Sequence, residues 1–147
     1  MEKKVLSNDV LLREVSRLVA EGESVTLMTK GVSMLPFIVG GRDSVVLEHP
    51  KELNPGLIVL ACVGKDRYVL HRVISVDGDK VVLMGDGNLK GVERCLKADV
   101  KAVAVRILKP SGETDCLSRK HLRHADIWRK MLPVRRWILA VYKRLFI

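Results

Sequence analysis

Apolar residues recur at helical spacing over residues 8–21. Leu11, Val15, Leu18 and Val19 share one stripe, Asn8 or Asp9 stands where a cap belongs, and Gly22 follows the last turn. The pattern predicts an amphipathic helix there. Beyond it the apolar positions alternate. "ESVTLMTKG" reads as a strand leading toward Ser33, and "DSVVLE" (43–48) as a second. Pro55-Gly56 marks a turn before the buried run "LIVLACV". "RYVLHRVISV" (67–76) meets "KVVLM" across Asp77-Gly78, a two-residue hairpin signal, and "GDGN" (85–88) makes another turn. "DVKAVAVRIL" (99–108) is the last strand in the pattern, which Lys109-Pro110-Ser111-Gly112 interrupts. One short helix followed by about six closely spaced strands predicts a mainly β fold, a compact barrel or coiled mixed sheet, with a helical tail. The expected division is a helix-plus-β domain over 1–110 and a basic helical tail over 111–147.

The chain has 147 residues, 48% of them hydrophobic, which suits one domain with a packed core. Cys62, Cys95 and Cys116 are odd in number and include no C-x-x-C pair, which argues against a disulfide framework or a thiolate zinc site. No cofactor or metal is expected. The opening "MEKKVLSNDVLLREV" has no uninterrupted apolar core of a leader. No segment reaches the roughly 18–20 apolar residues of a spanning helix. These features, with cysteine usage that suits a reducing compartment, predict a cytoplasmic protein or one peripheral to the cytoplasmic membrane face.

Charge alters the picture of the tail. Of the net +9, residues 119–147 carry +8, with Asp126 the one acid against nine bases. From Pro133 onward Val134, Trp137, Ile138, Val141 and Leu145 follow one helical face, with Leu139, Tyr142 and Phe146 widening it and Arg135, Arg136, Lys143 and Arg144 around it. The segment reads either as a helix packed on the barrel or as an in-plane helix on an anionic membrane surface. No aromatic platform or Gly-rich RNA box accompanies the basic charge, so no specific nucleic-acid partner is expected.

The candidate chemistry lies in the strands. In "TKGVSMLPFI" a single hydroxyl, Ser33, is presented from a stiff, mostly apolar segment. A serine nucleophile needs a base within reach and donors for the developing oxyanion. His49 precedes a proline in a loop, and His121 and His124 lie in the tail. Only His71 sits inside a predicted strand, with Val69, Val73 and Ser75 on its face and Leu70, Arg72 and Ile74 on the other. Taken singly, Ser33 reads as a turn serine, His71 as a satisfied half-buried imidazole and Asp86 as a turn residue capping its own backbone.

Together, "GVSMLPFI", "YVLHRVI" and "MGDGN" in that order resemble the serine peptidases that include type I signal peptidases and SOS-type self-cleaving repressors, and most closely the Ser/His-type signal peptidases. The likeness covers about 24–105. It implies Ser33 as nucleophile, His71 as general base and then acid, and Asp86 as a supporting carboxylate. Glu93 of "LKGVERC", one residue beyond the spacing of the eukaryotic-type enzymes, competes for that last role. Some bacterial relatives carry a second serine two residues before the nucleophile. Gly31 stands there in this chain, so an oxyanion hole would rely on backbone N–H groups, that of Ser33 included. The implied function is a serine endopeptidase acting on a leader or signal-like peptide, with small residues preferred before the scissile bond. The alternatives are a self-cleaving repressor-type peptidase and an idle β-domain that binds peptides or a membrane surface.

Overall fold

The computed structural model describes residues 8–65 and 67–146. The opening residues 1–7, read above for a leader, lie outside the described residues, as do Asp66, Ile147 and the side chain of Asn8. Helix α1 (Asn8–Ala20) precedes strands β1 (Val25–Met28), β2 (Ser44–Glu48), β3 (Ile58–Cys62), β4 (Tyr68–Asp77), β5 (Lys80–Met84), β6 (Glu93–Leu96), β7 (Val100–Lys109) and β8 (Gly112–Asp115). Helices α2 (Arg119–Lys130) and α3 (Arg135–Phe146) follow. All strand pairs are antiparallel, in the order β1-β2-β7-β3-β4-β5-β6, with β8 paired to β7. The sheet curls into a half-barrel, the mainly β fold that the sequence predicts.

Period-two alternation sorts the core onto two faces. Ile58 and Leu60 of β3 join Leu47, Ala102, Ala104 and Ile107 under Val15 and Val19 of α1. Val59 and Ala61 point the other way and pack with Val73, Val81, Leu83 and Val103. A strand buried on both faces has no polar position to spare, which is why "IVLA" reads as an unbroken apolar run.

The structure has two strands beyond the six in the sequence pattern. β6 is four residues long, alternately half-buried and exposed, at the sheet's edge. β8, "GETD", has no apolar side chain and is held by its ladder with β7, where Lys109 faces Gly112 across Pro110-Ser111. The predicted boundary at residue 110 therefore falls inside a hairpin turn. The strands continue past it.

Beyond β8 the tail is helical, as predicted, and much of it packs. Trp128 of α2 and Leu139 of α3 form a third cluster with Leu35, joined by Phe37, Val39, Ile138 and Tyr142. Among the described residues no helix is long and apolar enough to cross a membrane.

Candidate active site

Ser33 is carried by the loop between β1 and β2, which is tied at its neck. The N–H and Oγ1 of Thr29 both donate to the Asp43 carbonyl, at 3.1 and 2.7 Å, and the Gly41 N–H donates to the Thr29 carbonyl at 2.8 Å. The Asp43 carboxylate is fully buried and accepts from the Val39 N–H, Arg42 and Lys109. Burial alone would push this carboxyl up, but the bonds from Arg42, Val39 and Lys109 hold it below the usual carboxylate range. Within the loop Met34, Leu35 and Ile38 are buried while Gly31 and Val32 are exposed, leaving Ser33 half-buried between them. The apolar residues after the serine thus act as anchors that hold its backbone still.

His71 lies on β4 opposite Val59, and its Nδ1 is 2.5 Å from Glu93 Oε1. A carboxylate only accepts, so Nδ1 carries the proton and Nε2 is the basic nitrogen. Glu93 opens β6 opposite Leu83, and β5 pairs with β4 only from Arg72 onward, so Glu93 reaches His71 just past the end of β5.

The "GDGN" turn closes against the serine loop. The Gly87 N–H donates to the Ser33 carbonyl at 2.8 Å and the Asp86 N–H to Met34 Sδ at 3.5 Å. Both glycines are required by close approach. A Cβ on Gly85 would collide with the Ser33 carbonyl oxygen and sit 3.1 Å from His71 Nε2, and one on Gly87 would collide with the Val32 carbonyl oxygen. Gly85 is thus in contact with both catalytic candidates.

Asp86 does not bond to His71. It forms a fork with Arg72, accepting from Nε at 2.8 Å and Nη2 at 2.6 Å, and both residues are buried. Arg72 Nη1 also donates to the Gly56 carbonyl at 2.8 Å and to His121 Nε2 at 3.2 Å, and its guanidinium lies over the Phe37 ring. The tail braces the same turn: Trp128 Nε1 donates to the Asp86 carbonyl at 2.7 Å and Arg135 Nη1 to the Asn88 carbonyl at 2.9 Å. Of the two carboxylates, Glu93 is thus the one bonded to His71, while Asp86 is paired with Arg72. The sequence signal for Glu93 is its place beside Arg94 after the turn. The bracing by Trp128 and Arg135 has no signal short of the fold.

The buried His121 gives this network a pH dependence. Burial and then the Arg72 cation pull its pKa from 6.5 down to about 4. Between those values the unfolded chain binds a proton that the folded one does not, so stability falls as pH falls through that window and is complete above it. The loss is on the order of 3 kcal/mol at most. The unfolding midpoint should drop on acidification from pH 6.5 to 4, and His121→Gln should flatten that slope. Urea unfolding at stepped pH measures it.

Ser33 and His71 line the same cavity, about 210 Å³, walled by Leu12, Leu27, Leu60 and Leu70. Among the described residues, Ser33 Oγ, the Ser33 N–H and His71 Nε2 have no hydrogen-bond partner. A serine and a histidine whose Nδ1 is held by a carboxylate therefore line one apolar cleft, the residue types that acyl transfer uses. No family model and no curated protein matches the chain.

Proposed function

We propose that the protein is a serine endopeptidase in which Ser33 is the nucleophile, His71 the general base and Glu93 the residue that orients it. The observation that carries this reading is the Glu93 bond to His71 Nδ1, with Nε2 left unpartnered beside the loop that presents Ser33. The motif likeness to Ser/His-type signal peptidases adds to it. His71 Nε2 takes the Ser33 proton as Oγ attacks the substrate carbonyl, and the carboxylate of Glu93 stabilises the imidazolium that forms. The proton then passes to the leaving amine, and water, activated by the same nitrogen, hydrolyses the acyl-enzyme. The Ser33 N–H is the available backbone donor for the oxyanion. Hydroxyl and imidazole are not hydrogen-bonded to each other. Such contacts commonly tighten when substrate arrives.

The substrate is an extended peptide. Among the described residues β1 pairs only with β2, and the Tyr68–His71 segment of β4 pairs only with β3, so among them both present a backbone edge beside the cleft. A strand-like segment can hydrogen-bond to such an edge while its alternate side chains enter the apolar cavity. A leader or signal-like peptide is the class that fits this reading.

A fluorophosphonate probe tests it. Mass spectrometry should place the adduct on Ser33, and labelling should vanish in Ser33→Ala and weaken in His71→Ala. Adducts on other residues, with Ser33 untouched, would refute the nucleophile.

A further inference from the structure

Helix α3 has more apolar surface than the fold uses. One side, with Arg135 and Leu139 buried and Ile138 and Tyr142 half-buried, packs on Leu35 and Trp128. A second side lies in solvent: Trp137 and Leu145 are each 68% exposed and Val141 58%. Their steps of four residues place these three in one line along the helix. A third side carries Arg136, Lys143 and Arg144, with the Arg136 guanidinium over the Trp137 ring. The helix has no acidic residue.

We infer that this second side docks on an anionic lipid bilayer, with α3 lying in the interfacial plane. Sorting of apolar and cationic side chains onto adjoining faces suits a surface that offers hydrocarbon beneath and negative headgroups beside it. A second copy of the chain would bring the same unrelieved positive charge to the contact. The indole of Trp137, apolar with one polar edge, suits the headgroup level. The packed side of α3 meanwhile holds Leu139 against Leu35, two residues along the chain from Ser33. The inference rests on α3 alone and is independent of the peptidase reading.

The test uses the full chain with vesicles rich in phosphatidylserine, pure phosphatidylcholine vesicles and no vesicles. The protein should co-sediment with the anionic vesicles at low salt and less at high salt. The fluorescence of Trp137 should shift to the blue, with Trp137→Ser as the reference for the buried Trp128. Trp137→Ser with Val141→Ser, both at exposed positions, should abolish binding without moving the unfolding midpoint. Arg136→Gln with Lys143→Gln and Arg144→Gln should weaken binding by roughly fivefold per cation. The inference fails if the intact protein stays in the supernatant at low salt, or if the double serine variant binds as well as the parent. It fails equally if phosphatidylcholine binds as well as phosphatidylserine. Sedimentation showing a dimer that Trp137→Ser dissociates would give the face to a second copy instead.

Discussion

Glu93→Gln should slow peptide cleavage by roughly 10²- to 10⁴-fold in kcat while leaving the protein folded, because the amide keeps the shape of the carboxylate but cannot stabilise an imidazolium. Ser33→Ala and His71→Ala should remove at least as much, and combining them should cost little more than either alone, since residues that act as a unit are not additive. Asp86→Asn should behave in the opposite way. It leaves the buried Arg72 guanidinium without its counter-charge, and breaking a buried pair from one side costs about 3–5 kcal/mol. Its main effect should be a lowered unfolding midpoint, with catalysis lost only as far as the turn at 85–88 loosens. Measuring kcat and urea stability for all four variants separates the two carboxylates. If Asp86→Asn were stable but inactive and Glu93→Gln fully active, the roles assigned here would be reversed.

The same carboxylate question shows what a sequence can and cannot tell. The helix at 8–21 and the strands at 43–48, 57–63, 67–76, 80–84 and 99–108 were legible because each buries apolar side chains at a regular period. β6 and β8 were not, since short edge strands with few buried side chains are held by backbone ladders, and ladders leave no apolar pattern. Ser33 and His71 were readable as candidates from their surroundings, and the fold brings them to one cavity. Asp86 and Glu93 both stood near enough in the chain to serve His71. Strand alternation decides between them: His71 and Arg72 are neighbours on β4 and face opposite ways, so a carboxylate fixed to one is turned from the other. The strong fork to Arg72 takes Asp86. What the sequence does not hold is the direction from which β6 returns, and that return is what delivers Glu93. The tail posed a similar choice between packing and a membrane. A single helical stripe suggested one or the other, but α3 has room for both, with Leu139 facing the core and Trp137 facing solvent.

Trp128 supports a second large effect, which ties the tail to the site. Its indole is 6% exposed, fills the space between Leu35 and Leu139, and donates to the carbonyl of Asp86. Trp128→Ala removes the ring and leaves a cavity, a change that typically costs about 3–5 kcal/mol. Trp128→Phe keeps most of the apolar volume and removes only the N–H, leaving a buried carbonyl unpaired at a cost of about 1–3 kcal/mol. Both effects converge on the proposed active site, because the loosened carbonyl belongs to the turn whose Gly87 holds the Ser33 carbonyl and whose Gly85 borders His71 Nε2. Trp128→Phe should therefore stay folded at neutral pH and lose part of its kcat, whereas Trp128→Ala should lose both stability and activity. The comparison variant is Trp137→Ser on α3, whose ring is mostly in solvent and touches nothing in the site; it should leave kcat on a soluble peptide unchanged. Urea unfolding and peptide cleavage on the three proteins provide the measurement. A Trp128→Ala variant as stable and active as the parent would show that α2 merely rests on the barrel and does not hold the turn beside Ser33.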